Sequence, residues 1–278
     1  MKLAGVVIVY HPNFDEAAQN IKNYIEDLDL LIIWDNTPSV NQKEQFYSLL
    51  STYSHKILYL SEQDNKGIAY ALNRAFETAQ GKGFNYILTM DQDSIWKKFK
   101  GYKEGVSNHL ENDIAIYAPL IISLSNNMVI RCNNTNFVIT SGSIYNITLF
   151  NKIGHFREEY LIDEVDNEYC IKAVKKGYKI KLLTNSFLYQ TFGSPESSKG
   201  LAKYTAHYSA FRTYHQIRNR MWVWREYSDQ LSYKYILRTL LLSGLRRLLL
   251  IVLYEKQKKQ KLLALVNGFK DGFFKKII

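Results

Sequence analysis

Cysteine is scarce. Cys132 and Cys170 are the only two in 278 residues, too few for a disulfide framework or a thiolate metal site, and such a chain suits a reducing compartment. Six histidines are scattered along it without the spacing of a zinc-ligand pair. No stretch approaches the roughly 18 consecutive apolar residues of a membrane span. The apolar opening, Leu3–Val9, lacks a small-residue cleavage site and runs into His11-Pro12-Asn13, so it reads as a first strand rather than a secretory leader. No Gly-x-x-x-x-Gly-Lys-Ser/Thr loop is present, which excludes P-loop chemistry, and no Gly-x-Gly-x-x-Gly follows the first strand, which argues against a dinucleotide fold. Internal repeats and low-complexity segments are also missing.

Net charge is nearly absent from most of the chain. Of the overall +10, residues 234–278 contribute eleven Lys/Arg against Glu255 and Asp271, or +9, leaving about +1 for residues 1–233. This asymmetry predicts a globular unit over residues 1–230 and a basic helical tail over 231–278.

Apolar runs at 3–9, 29–34, 56–60 and 86–90 alternate with helical spacing at 17–28, 42–53 and 68–80. That alternation predicts an α/β fold, a mostly parallel central sheet with flanking helices. Each run ends in polar residues: Tyr10-His11, Asp35-Asn36, Asp64-Asn65 and Asp91-Gln92-Asp93. In an open α/β sheet the carboxyl ends of the strands form the ligand crevice, so these loops predict a nucleotide site. Beyond Trp96 the alternation weakens. Residues 115–123 and 128–132 read as a hairpin around Ser125-Asn126-Asn127, the later end of 160–176 as a helix closed by Gly177, and 178–183 as a strand.

Asp91 and Asp93 are the most informative pair. Carboxylates one residue apart on extended backbone project the same way, and a hard divalent cation bridging a diphosphate takes oxygen ligands of this kind. A second acidic run, Asp163-Glu164-Val165-Asp166-Asn167-Glu168, opens a helix. Carboxylates there suit the helix dipole; Asp166, flanked by Leu161-Ile162 and Val165, equally has the setting of a general base held near a partly dry site. A third cluster, residues 212–220, holds arginines that match phosphate oxygens or make a solvated basic face.

Taken in order, Val7-Ile8-Val9-Tyr10-His11-Pro12, Asp35-Asn36, Asn65-Lys66-Gly67-Ile68-Ala69 and Met90-Asp91-Gln92-Asp93-Ser94 form a series. It continues with Thr140-Ser141-Gly142-Ser143, Gly154-His155-Phe156-Arg157-Glu158-Glu159, residues 162–170, and Tyr214 with Arg218-Asn219. The series resembles the family 2 glycosyltransferases of GT-A fold, and within them the bacterial rhamnosyltransferase-like group, over roughly residues 3–225. The resemblance implies an inverting, metal-dependent transfer of a sugar from a nucleotide-sugar donor, with dTDP-L-rhamnose expected. The implied acceptor is a glycan or a lipid-linked sugar in bacterial surface polysaccharide synthesis. It implies Tyr10, His11 and Asp35 at the base and ribose, Asn65 and Gly67 along the donor, and Asp91 on the ribose side. Asp93 with Asp91 would hold Mg or Mn, and Asp166 would be the base. Ser141, Gly142 and Asp163 would border the acceptor, and Arg218-Asn219 the diphosphate. One position departs: many relatives carry His where this chain has Gln190, and a neutral amide is a weaker metal ligand.

Two other classes remain open at this level. A sugar-phosphate nucleotidyltransferase shares the sheet, crevice and metal but needs no base at Asp166. A basic nucleic-acid-binding protein would owe its affinity to the tail and lose it steeply with salt; the ordered motifs favour the transferase, with no nucleic acid as partner. Within the tail, leucine-rich 236–253 is broken by Arg238 and Arg246-Arg247, which suits a span poorly. Apolar spacing at 237, 241, 245, 248 and 252, a basic cluster over 256–261, and Leu263, Val266, Phe269 and Phe273 predict basic amphipathic helices on an anionic membrane surface. That places the protein peripherally on the inner face of the cell membrane. Packing of the tail on the globular unit, or on a second copy as a homodimer, is the alternative.

Overall fold

The structure, a computed structural model, describes residues 1–124, 129–130, 137–190 and 208–276. Its first half follows the expected alternation: β1 (Leu3–Val9), α1 (Phe14–Lys22), β2 (Leu30–Asp35), α2 (Lys43–Leu49), β3 (Ile57–Ser61), α3 (Ile68–Gly81) and β4 (Tyr86–Asp91). Then come β5 (Ile95–Trp96), α4 (Phe99–Ser107), β6 (Ile114–Ser123), β7 (Val129–Ile130), β8 (Ile144–Asn146), α5 (Phe150–Ile153), α6 (Val165–Lys175) and β9 (Lys179–Gln190). The chain ends in α7 (Ala210–Tyr227), α8 (Tyr233–Ile236), a π-helical turn (Leu237–Leu242), α9 (Ser243–Tyr254) and α10 (Lys258–Phe274).

The strands form one sheet in the order β3-β2-β1-β4-β8-β6-β9-β5, with β7 beside β6. β3, β2, β1 and β4 are mutually parallel. Such strands are buried on both faces and read as continuous apolar runs. Alternate residues point to opposite sides: Val6 and Ile32 meet α3, while Val7 and Ile33 meet α1 and α4. The long ladders are parallel, as expected, and short antiparallel strands make the sheet mixed: three-residue β8 inserts antiparallel between β4 and β6. β9 runs parallel to β6, and β5 antiparallel to β9. The hairpin partner of β6 is present as β7, with Ile121 opposite Ile130; its Ser125-Asn126-Asn127 turn lies outside the described residues. β9 is longer than the run at 178–183 suggested, and its extension returns Gln190 to the end of β4.

The tail folds against the rest. α10 lies along α7 at two glycines: a Cβ on Gly268 would stand 2.8 Å from the Tyr214 carbonyl oxygen, and one on Gly272 2.8 Å from Met221 Cβ. Tyr214 donates to Asp271 (2.6 Å). Buried Glu255 is paired with Arg247 and with Lys261 (2.7 Å), and Arg247 also donates to Thr213 (2.9 Å). These contacts realise the packed alternative, yet Leu245, Leu249, Leu253, Leu263, Val266 and Phe273 stay exposed. Among the described residues no helix is long and apolar enough to cross a membrane.

Candidate active site

The carboxyl ends of β1, β2 and β4 are tied together by hydrogen bonds. The Tyr10 N–H donates to Gln92 Oε1 (2.8 Å), and Gln92 Nε2 donates back to the Tyr10 carbonyl. The His11 N–H donates to Thr37 Oγ1 (2.9 Å). Asp35 is wholly buried, accepting from the Thr37 N–H (2.8 Å) and the Tyr59 hydroxyl (2.6 Å), so its carboxylate organises this end of β2 from within. Tyr10 is 47% exposed with its ring edge-on to His11, a free aromatic surface of the sort a nucleobase stacks on. Asn65 Oδ1 accepts from the Gly67 N–H (3.0 Å), and Asn36 Nδ2 donates to the Gly67 carbonyl. Gly67 has φ +87° and opens α3. Tyr10, His11, Asp35, Asn65 and Gly67 therefore share one edge of the sheet.

Asp91 closes β4, with Asp93 exposed in the following turn. Ser141 and Gly142 support this corner. The Asp91 N–H donates to Ser141 Oγ (3.1 Å), which itself donates to Ser94 (2.8 Å). Gly142, at φ +81°, donates to the Thr89 carbonyl (2.7 Å), and a Cβ there would meet Leu188 at 2.7 Å. Gln190 Nε2 donates to Asp91 Oδ2 (2.8 Å), while its buried Oε1 has no partner. Burial first, and the Asp93 charge second, push the Asp91 carboxyl up to about 6. Among the described residues no three His, Cys, Asp or Glu cluster as a metal site. Two carboxylates and an orphaned amide oxygen nonetheless suit a hard cation whose remaining ligands are phosphate and water.

Asp166 sits in the first turn of α6, its Oδ1 accepting from the Asn167 N–H (2.9 Å). Burial, then the Glu164 charge, raises its carboxyl to about 7, with Asp163 adding to the rise. Asp163 is gripped in a two-pronged contact by Arg212 at 2.9–3.3 Å, and Glu164 is paired with Arg220 (2.9 Å). The Arg212 charge also acts on Asp91, so this guanidinium joins the β4 corner to the acidic segment.

Arg218 and Asn219 are not brought to the carboxylates. Both are buried, with their side chains turned to the backbone of residues 159–163. The arginine cluster was visible in the sequence; that Arg212 is the member facing the site follows only from where Ser209 caps and starts α7. Gln190, which the resemblance set at the metal position, reaches this corner by a bond to Asp91 that spans 99 positions and that no local pattern signals.

The family model described as glycosyl transferase family 2 matches residues 6–156. The dTDP-rhamnosyl transferase RfbF of Shigella flexneri is 22% identical over 234 residues, 77% of either chain. Among solved structures, the mannosyltransferase PcManGT of Pyrobaculum calidifontis, in complex with GDP-Man and Mn2+, aligns at TM-score 0.63 and 10% identity over 99% of this chain and 88% of that one. S. aureus TarS 1–349 in complex with UDP-GlcNAc aligns at 0.60 and 17%, over 98% and 81%. These likenesses establish the GT-A fold.

Proposed function

The chain belongs to glycosyl transferase family 2 as a rhamnosyltransferase-like glycosyltransferase, and from that membership we propose an inverting, metal-dependent transfer of L-rhamnose from dTDP-L-rhamnose to a glycan or lipid-linked acceptor. The observation that carries this reading is two acidic sets on either side of Arg212: the guanidinium grips Asp163 just ahead of α6 and its charge acts on strand-end Asp91, while Asp166, in the first turn of α6, has its carboxyl raised to about 7. The RfbF likeness supports the donor, and the Mn2+ and GDP-Man held by PcManGT support metal and nucleotide sugar.

Asp166 takes the proton of an acceptor hydroxyl as that oxygen attacks the anomeric carbon. The bond from that carbon to the diphosphate oxygen breaks on the opposite face, its electron pair leaving with the nucleoside diphosphate, so the configuration inverts. Tyr10 and His11 offer the surface for the base, and Asn65-Gly67 the wall along the donor. Asp163 borders the acceptor, with Ser141-Gly142 behind the Asp91 corner. Arg212 is the cation placed to meet developing negative charge on the leaving group. Asp91, Asp93 and the Gln190 amide oxygen would hold Mg2+ or Mn2+, which when bound neutralises diphosphate charge. Exposed leucines of α9 and α10, with Arg246 and the exposed lysines of α10, support a peripheral station on the inner membrane face, suited to surface polysaccharide synthesis in the cell envelope.

The test is a panel of nucleotide sugars incubated with the full chain and Mg2+ or Mn2+, reading slow donor hydrolysis. dTDP-L-rhamnose should be consumed fastest. Cleavage of none would overturn the reading. Pyrophosphate released from nucleoside triphosphate and sugar phosphate would make the protein a nucleotidyltransferase.

A further inference from the structure

The segment leading into α6 is strained and closely held. Leu161, Asp163 and Glu164 have positive φ of 56°, 60° and 64°, values that Asp tolerates but that Leu and Glu rarely adopt. Such backbone persists only where its surroundings over-determine it, and it concentrates at functional sites. Here the surroundings can be named carbonyl by carbonyl. Glu159 O accepts from Arg218 Nη2 (2.6 Å). Tyr160 O, Ile162 O and Asp163 O accept from Asn219 Nδ2 at 2.9, 2.8 and 3.0 Å. Leu161 O accepts from the Ile68 N–H (2.8 Å), the first residue of α3. Five consecutive carbonyls are thus satisfied, four of them by two neighbouring side chains of α7.

The orientation of the Asn219 amide follows from chemistry. A guanidinium donates and never accepts, so the atom facing Arg218 Nε and Nη2, at 3.0 and 2.8 Å, is Oδ1. The NH2 group is thereby turned to the three carbonyls, and Asn219 is fully buried. Arg218 is in turn sandwiched by Trp222 and Tyr214, 4.2 and 5.3 Å from the ring centroids. On the far side of the loop, a Cβ on Gly67 would lie 2.8 Å from Leu161 Cα and from its carbonyl oxygen. The loop is therefore clamped between the donor-side Asn65-Gly67 turn and α7.

We propose that Asn219, oriented by Arg218, is a positioning residue: it fixes the strained loop over 159–164 so that Asp163 and Asp166 face the acceptor, and registers that loop through Leu161 against donor-side Gly67. This rests on the transferase reading for its catalytic consequence, though not for the clamp itself. Asn219→Asp is nearly isosteric. It keeps an acceptor for Arg218 and sets an oxygen, in place of the NH2, against three carbonyls.

In donor hydrolysis and transfer, Asn219→Asp should lower kcat about 10²-fold, the scale of a small misplacement of catalytic groups. Donor KM and nucleotide Kd should hold within about twofold, since binding common to ground and transition states is untouched. The acid limb of the pH–rate profile should move, and backbone amides of 159–164 should exchange faster with deuterium. Arg218→Gln, which leaves the amide in place but unoriented, should show the same pattern in weaker form. Tyr227→Phe, also on α7, serves as a control: it removes the bond to buried Glu168 of α6 (2.6 Å), and should lower Tm while leaving kcat and the pH profile unchanged. Wild-type kcat and exchange in Asn219→Asp would overturn the proposal. So would nucleotide affinity falling in step with Tm and kcat, the mark of a merely structural residue. Wild-type protein that turns over no nucleotide sugar would refute the transferase reading, and unchanged exchange in the variants would then refute the clamp.

Discussion

Asp166 carries the clearest pH signature. A general base works as the carboxylate, so with its carboxyl raised to about 7 the rate should climb as pH rises through that value and level off above it. Asp166→Asn should retain donor binding and lose about 10²–10⁴ in turnover, measured by single-turnover transfer. That pattern at Asp163→Asn instead would move the base to the loop just ahead of α6. The same shift has a stability consequence of opposite sense. The folded protein holds the Asp166 proton more tightly than the unfolded chain, with its carboxyl near 3.8, so stability falls as pH rises from 3.8 to about 7. Asp166→Asn should therefore melt above the parent at pH 8 and no higher at pH 3, a comparison that needs only calorimetry. At the metal corner, Asp93→Ala should abolish Mn2+-dependent nucleotide binding. Gln190→His should tighten the metal titration, because imidazole replaces a neutral amide oxygen beside Asp91; an unchanged titration would mean that the side chain does not reach the ion.

At the scale of elements, α7 is the organising piece, and it was the hardest to read. Its buried positions mix polar Thr213, His215, Arg218 and Asn219 with apolar Ile217, Met221, Trp222, Val223 and Tyr227, so the polar members hide the inward face and residues 212–220 look like a solvated basic helix. The short strands β5 and β8 leave no signal in the sequence, because two or three residues cannot establish a period of two. Close approach of α7 and α10 depends on Gly268 and Gly272. Gly268→Val would drive a side chain into the Tyr214 carbonyl, at 2.8 Å from the first added carbon. Overpacking of this kind costs about 1–3 kcal/mol, seen as a lower Tm. Because α7 also bears Arg212 and Asn219, turnover should fall with it.

For the whole molecule, the outer face of the C-terminal helices is apolar and studded with basic residues. Leu245, Leu249, Val252, Leu263, Val266 and Phe273 are exposed there, with Arg246, Lys259 and Lys270 exposed among them. Basic residues near an anionic surface contribute about 1 kcal/mol each. The full chain should sediment with anionic vesicles at low salt and release at high salt. Leu249→Asp with Phe273→Asp should weaken that binding and leave nucleotide affinity unchanged, since neither side chain touches α7's site-facing residues. An intact chain that ignores such vesicles and elutes as a dimer would assign the face to a second copy.

The sequence by itself determined the register of the first half: four strands, three helices and the polar loops at their carboxyl ends. Buried parallel strands and amphipathic helices write their periods locally, and Asp91-Gln92-Asp93 stands at a boundary that both periods mark. The charge asymmetry of the tail was likewise legible, being a matter of counting. Only the tertiary structure decided which arginine faces the carboxylates and which pair holds the loop behind them. It also decided that β9 runs on to set Gln190 against Asp91, a contact across 99 positions. Contacts at that separation depend on how the sheet is ordered, and no local period records the order of a sheet.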